Sequence, residues 1–343
     1  EKIYRITINL EKNSKKLVLD IDYQNKKDAE EIFHNLNSID IIVKEVKEED
    51  KNPLPPYRTD TMLKDASDKY RFSLPKTMEL AQDLFELGYI TYHRTDSTRV
   101  SDVGIALAKE YIEENFGKDY FHARVWGEGG AHECIRPTKA IETEELKSMI
   151  LSGQYEGLTL DHIKLYDLIF KRFMASQMRA VKFKTKDVII KGFGFELEKV
   201  LNTAIIQDGW NKILPADLHP DLEGIVDVSN NKQFKIVPKA FPFTHGELVF
   251  KMKERGIGRP STYATIIAKL LERKYVIEKK GLLFPTSMGI KVYQYLNSLE
   301  QVREFLSEEF TRKLEGLMDK VEVGEKDYED ILFELFEEIR KSR

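Results

Sequence analysis

One cysteine, Cys134, stands in 343 residues. A lone thiol excludes an internal disulfide framework and any zinc site built from several cysteines. No apolar run approaches the roughly 18 residues of a membrane span, and no signal peptide is legible. The sequence therefore predicts a cytoplasmic chain with no membrane partner. The formal net charge is only −4, so no global electrostatic footprint for nucleic acid exists and a DNA-binding face must be local. Internal repeats and low-complexity stretches are lacking too.

What is abundant is charge of both signs. Asp, Glu, Lys and Arg make up 33% of the chain, well above the usual quarter. Lys and Glu supply most of that excess, a balance that suits a heat-adapted protein. The length allows two or three domains. The chain starts on Glu1 and runs directly into strand-like sequence, which reads as an excised piece of a longer intracellular protein.

Hydropathy patterning predicts strands at 3–8 and 16–22, a short helix near 27–36 and a strand at 41–45. The proline-rich "KNPLPPY", 51–57, can continue neither a helix nor a central strand. Helical spacing dominates next, with Gly88 suited to a C-cap and helices over 101–117 and 159–178. From Val181 to about Ala240 the pattern returns to strands. Sheet thus brackets a helical insert, which predicts one discontinuous β-rich domain (1–57 and 181–243) around a mainly helical one (58–180). The remainder, 244–343, reads helix, helix and hairpin, the order of a winged helix-turn-helix. Within it, residues 251–280 hold nine Lys and Arg against three Glu, and 301–340 hold six against thirteen Asp and Glu. The near-neutral total hides a basic module and an acidic helical tail.

Several clusters carry chemistry. In "YITYHRTDSTRV", 89–100, Tyr92 is expected at the end of a short buried strand, with Arg94 on the same face if the segment is extended. An ordinary phenol titrates at about 10, so about one in a thousand is ionised at neutral pH, and a tyrosine nucleophile needs nearby positive charge or a proton acceptor. A guanidinium fork matches two phosphate oxygens. Packing and catalysis both stay open for Tyr92 on these residues alone. "EGGAHECIRPTKAI", 128–141, delivers His132, Glu133, Arg136 and Lys139 after a Gly-Gly turn. It begins like a zinc-protease signature, but Arg136 stands where the second histidine is required, so no metal site is expected. Three potential cations beside glycine suit an oxyanion or phosphate pocket, and a solvated loop is the plain alternative. In "GIGRPSTYA", 256–264, Pro260 and Ser261 suit a helix start whose free N–H groups favour an anion, and a plain cap explains the residues equally well. Asp20 and Asp22 fit an edge strand better than a cation site.

Taken together, "GYITYHRTDSTRVS", "AHECIRPT", "LYDLIFKRFMASQM", "RGIGRPSTYATII" and "FTRKLEGLMDKVEVGEKDY" resemble successive motifs of type IA DNA topoisomerases, in family order over more than two hundred residues. Within that family the resemblance is nearest to the topoisomerase half of reverse gyrase, through His93, Cys134 and "LPPYRTDTMLKDA". The resemblance implies an α+β multidomain toroid fragment: a discontinuous β arch, a helical nucleophile domain and a winged-helix-like base. It makes Tyr92 the nucleophile that forms a 5′-phosphotyrosyl bond before strand passage and religation. Arg94 would stabilise the phosphoryl transition state, and His132 would assist proton transfer or contact phosphate. Arg136 would support the strand backbone, while Arg259, Ser261, Thr262 and Tyr263 would line a single-strand groove. The family's Mg²⁺-binding Toprim domain and the ATP-using helicase half of reverse gyrase do not match any part of 1–343. The resemblance therefore predicts no cofactor bound by these residues, DNA and the missing domains of the same polypeptide as partners, a monomer, and positive supercoiling by the intact protein. The alternatives are an ordinary relaxing type IA enzyme and a non-catalytic winged-helix module binding duplex through Lys269, Arg273 or Lys274. A tyrosine recombinase fits less well, because Tyr92 lies early in the chain.

Overall fold

The computed structural model describes residues 2–128, 132–153 and 157–341. The chain opens with a hairpin of β1 (Lys2–Lys12) and β2 (Lys15–Tyr23). Asn13 and Ser14 turn it at φ 52° and 62°, the left-handed pair that matches strand twist in two-residue hairpins. Helix α1 (Lys26–Asn35) follows, with the Asn25 side chain accepting from the Lys27 N–H as its N-cap. Strand β3 (Ser38–Lys51) ends at the proline-rich segment. Helices α2 (Thr59–Tyr70), α3 (Leu74–Glu86), α4 (Asp102–Asn115), α5 (Thr143–Leu151) and α6 (Leu160–Ser176) come next. The chain returns to sheet in β4 (Val181–Gly192), β5 (Phe195–Gln207), β6 (Gly224–Asp227) and β7 (Lys232–Pro238). After β8 (Phe243–Thr244) come α7 (His245–Glu254), α8 (Tyr263–Glu272), β9 (Val276–Lys279) and β10 (Leu282–Pro285). Helices α9 (Ser287–Ser298), α10 (Glu300–Arg303), α11 (Glu308–Glu322) and α12 (Tyr328–Lys341) complete it.

Two compact units result. The first comprises residues 1–55, 105–124 and 174–241. Its antiparallel sheets are ordered β2-β1-β7 and β5-β4-β3-β6. Alternation along β2 turns Leu17, Leu19 and Ile21 inward, where they join Ile39, Ile41 and Ile190 in one core. Burying each such side chain stabilises the fold by about 1.5–3 kcal/mol. The strand expected at 41–45 runs on to Lys51, because its charged half pairs with residues 181–187 of β4 and Lys47 meets Asp187 at 3.0 Å. Asp22 forks onto Arg5 at 2.7 and 2.8 Å, and Asp20 accepts from the Thr7 hydroxyl at 2.6 Å. Both carboxylates serve cross-strand pairing.

The second unit comprises residues 56–104, 125–173 and 242–343. Its small sheet is ordered β8-β10-β9, and Lys280 and Gly281 close the β9–β10 hairpin at φ 53° and 75°. Two helices and a hairpin stand in the order expected for 244–285, and the two-residue β8 that precedes them is additional to that reading. A capping box between Thr244 and Glu247 starts α7. Helix α7 lies so close to α2 that a Cβ at Gly246 would sit 2.7 Å from the Lys64 Cα. No helix among the described residues is long and apolar enough to cross a membrane.

Candidate active site

The strand expected before Tyr92 is reduced to a single antiparallel bridge, Ile90 to Pro137. Pro137 has no N–H to extend a ladder. What pins the segment is Thr91. Its N–H donates to the Arg136 carbonyl at 2.9 Å, its hydroxyl donates to the Cys134 carbonyl at 2.7 Å, and the Arg136 N–H donates back to that hydroxyl at 3.0 Å. The two motifs that the sequence separates by some forty residues are therefore one local structure.

Beyond Thr91 the chain bends at His93 and Arg94, and burial alternates along it: Tyr92, Arg94 and Asp96 are exposed, while His93 and Thr95 are buried. Tyr92 and Arg94 are thus both open to solvent, with one residue between them. Tyr92 keeps 46% of its surface exposed. Arg94 has no hydrogen bond or ion pair among the described residues, which leaves its fork available to an anion. From the buried side, Thr59 at the start of α2 makes four hydrogen-bond contacts with the segment. Its one hydroxyl proton is shared between the His93 and Thr95 carbonyls at 2.8 and 2.9 Å, its hydroxyl oxygen accepts the Thr95 N–H at 2.9 Å, and its own N–H donates to the Thr95 carbonyl at 2.9 Å. Thr95 and Ser97 hydroxyls then accept the N–H groups two residues on, which shapes the turn to Arg99.

His93 is fully buried, and neither ring nitrogen has a hydrogen-bond partner. Burial, seconded by the Arg94 charge and opposed by Glu86, pulls its pKa down to about 4. It is a neutral imidazole packed edge-on against Tyr92, ring centroids 5.5 Å apart. Its neighbour in the second motif, Cys134, is also buried, and desolvation pushes that thiol up to about 12.

The remaining expected site residues fall into different situations. His132 is exposed, and its carbonyl accepts from the Arg99 Nε at 3.2 Å. Arg136 is only 5% exposed. Its guanidinium forks onto Glu133 at 2.9 and 3.0 Å and also donates to the Pro137 carbonyl and the Ser101 hydroxyl. The guanidinium expected to meet the DNA strand is thus buried and taken up by Glu133, Ser101 and the Pro137 carbonyl. Ser261 and Thr262 are exposed before α8. Tyr263 is 4% exposed, so its ring offers no stacking face as the structure stands; burial pushes its phenol up to about 12. Arg259 is held by two carboxylates of α11, Glu315 at 2.7 Å and Asp319 at 2.7 Å. Lys269 pairs with Glu272, and Arg273 and Lys274 are exposed.

Asp60 is a buried carboxylate beside the site that sequence reasoning does not single out. It is 1% exposed in the first turn of α2, beside Thr59, and is in ion-pair range of Arg58 at 2.8 Å and of Lys253 on α7 at 3.0 Å. Thr59 faces the Tyr92 segment and Asp60 faces α7. The signal available was a buried-type helix start, Arg-Thr-Asp-Thr, but nothing local shows that a lysine from 193 residues away completes it. No group of three or more His, Cys, Asp or Glu side chains suited to a metal occurs among the described residues. The magnesium that the resemblance implies therefore finds no fitting donor set here, and no step is assigned to it.

An exposed phenol and an exposed guanidinium two residues apart on a braced turn, within an α/β chain of antiparallel sheets, fit phosphodiester chemistry. A family model for DNA topoisomerase matches residues 1–332, and the chain belongs to that family. Among curated relatives it is similar to reverse gyrases. It is 58% identical to reverse gyrase 1 of Aquifex aeolicus over 99% of this chain and 30% of that protein. It is 50% identical to the reverse gyrase of Pyrococcus furiosus over 88% of this chain and 25% of that protein. The chain thus spans less than a third of these relatives. Among solved structures, full-length topoisomerase I from Thermotoga maritima superposes with a TM-score of 0.76 at 32% identity, covering all of this chain and 58% of that one. The mixed α/β fold matches a topoisomerase.

Proposed function

We propose that this chain carries the strand-cleaving tyrosine of a DNA topoisomerase of type IA, and that the whole protein is a reverse gyrase. The observation that carries the reading is the shared exposure of Tyr92 and Arg94 on a segment pinned by Thr59, Thr91 and the Arg136 backbone.

In the step proposed, the Tyr92 hydroxyl gives up its proton and its oxygen bonds to a DNA phosphorus. The bond from phosphorus to the 3′-oxygen breaks, and that oxygen leaves as a hydroxyl on taking up a proton. The other strand passes, and the 3′-hydroxyl then attacks the phosphotyrosine to restore both starting groups. One ester replaces another, so the step is close to energetically neutral and needs only placement and charge. Arg94 stabilises the charge on the phosphoryl oxygens, and exposed His132 contacts phosphate or relays a proton. Ser261 and Thr262 face a single strand, with the Arg259 turn beneath them. Arch (1–57 and 181–243), nucleophile domain (58–180) and base (244–343) are the proposed division of labour. Magnesium binding, ATP use and positive supercoiling are assigned to parts of the protein outside 1–343. Cytoplasmic location and a monomer acting on DNA complete the reading.

Its test is the polarity of the covalent bond. Denaturing a cleavage reaction on an oligonucleotide labelled at its 3′ end should leave label on the protein, whereas a 5′ label should be released. Label retained only from the 5′ end would sink the assignment.

A further inference from the structure

Arg259 is the candidate DNA contact whose surroundings least resemble a free phosphate clamp. Its Nη1 donates to Glu315 Oε2 at 2.7 Å and to the Gly258 carbonyl at 3.0 Å. Its Nη2 and Nε donate to the two oxygens of Asp319 at 2.7 and 3.3 Å. These hydrogen bonds hold the guanidinium pKa above its ordinary value. A phosphate would have to displace a two-point carboxylate contact to reach this fork.

The carboxylates also reach past the side chain to the turn itself. Glu315 Oε1 accepts the Gly258 N–H at 2.8 Å. One turn earlier on α11, Arg312 Nε donates to the Arg255 carbonyl at 3.1 Å, and Glu308 pairs with the Arg255 guanidinium. Glu308, Arg312, Glu315 and Asp319 follow at intervals of four, three and four, which places them on one stripe of the helix. That stripe lies along the backbone from Arg255 to Arg259. The turn needs such support, since Gly256 and Gly258 both sit at positive φ, 69° and 79°, where the glycine backbone is least restricted by itself. At the far end of the turn, the Thr262 hydroxyl accepts the Arg259 N–H at 2.8 Å. Ser261 is left exposed, with no partner among the described residues.

We propose that Glu315 and Asp319 are positioning residues for single-strand binding: they lock Arg259, and through it set the Gly256–Tyr263 turn that presents Ser261 and Thr262 to the DNA backbone. Arg259 acts through the turn and not as a phosphate contact of its own. The inference rests on the reading of this turn as part of the single-strand surface.

The test is binding of a fluorescent single-stranded oligonucleotide to the full-length protein across a salt series, with thermal melts of each variant as folding controls. Arg259→Gln and Glu315→Gln should each weaken binding about fivefold, the double variant should be no worse than either single one, and the salt slope should stay as in the unchanged protein. Asp319→Asn, which alters a more exposed carboxylate, should show a smaller loss in the same direction and serves where Glu315→Gln fails to fold. The inference is overturned if Arg259→Gln lowers the slope by about 0.7, the share of one phosphate contact on a single strand, while Glu315→Gln leaves binding unchanged or tightens it. That result leaves the single-strand reading of the turn intact. Wild-type affinity in Arg259→Gln, Glu315→Gln and Ser261→Ala together would overturn both.

Discussion

Phe85, in the last turn of α3, meets the Tyr92 ring edge to face, with centroids 5.3 Å apart and planes at 67°. His93 closes the triangle, 6.1 Å from Phe85 and 5.5 Å from Tyr92. The Tyr92 ring is thus held between two others while the residue keeps 46% of its surface exposed. Removing Phe85 should free the ring to swing. Phe85→Ala should slow formation of the covalent DNA adduct by about tenfold, through lost positioning. Affinity for single strands should be unchanged. Rapid-quench adduct assays at saturating oligonucleotide separate the two effects, and a change confined to affinity would contradict this role.

His93 makes a pH prediction. The unfolded chain protonates it near 6.5, whereas the fold holds it neutral down to about 4. A histidine with a lowered folded pKa contributes full stability above the unfolded value and loses it as pH falls from 6.5 to about 4. The whole window amounts to about 3 kcal/mol. His93→Phe should flatten that part of the stability profile, read as denaturant midpoints at neutral pH and near pH 4.5. An equal acid loss in the variant would place the effect elsewhere.

Arg136, buried, and Glu133, a quarter exposed, form a fork that Ser101 completes. Arg136→Ala leaves a carboxylate without its partner and should lower stability by about 3 kcal/mol. Arg136→Lys should recover little, since an ammonium cannot reproduce the fork. Gly104 lies against the same guanidinium, where an added Cβ would be 2.8 Å from Nε. Gly104→Ala should therefore destabilise in the same direction. Thermal melts rank the three.

Cys134 is buried with its thiol pKa raised to about 12. It should stay silent to a thiol reagent in the native protein at neutral pH and react once the chain is denatured. Rapid reaction in the folded state would show that the hydrogen bonds of the Cys134 backbone to Arg99 and Thr91 open readily.

Much of this was legible in the sequence because it is written locally. Alternating apolar residues gave β1, β2 and β4, and helical spacing gave α4 and α6 within a residue or two of their ends. The exposure of both Tyr92 and Arg94 is expected from a two-residue alternation, though the chain bends at His93 and Arg94 instead of running on as strand. Illegible features depend on partners far along the chain. Arg259 meets Glu315 and Asp319, 56 and 60 residues away. Asp60 meets Lys253 on α7. The charged half of β3 lies beyond the strand read at 41–45, and only pairing with β4 shows that it is strand. His93 reads as a subfamily marker in sequence, and only the fold shows it to be a buried ring beside Tyr92.

The central claim is that Tyr92 forms the covalent bond to DNA. The most direct measurement is peptide mapping of a denatured adduct made by the full-length protein, alongside the Tyr92→Phe variant. The account predicts a nucleotide attached to the peptide containing Tyr92, and no adduct from the variant, which should still bind single-stranded oligonucleotide. An adduct that persists in Tyr92→Phe, or one that maps to another residue, would contradict it.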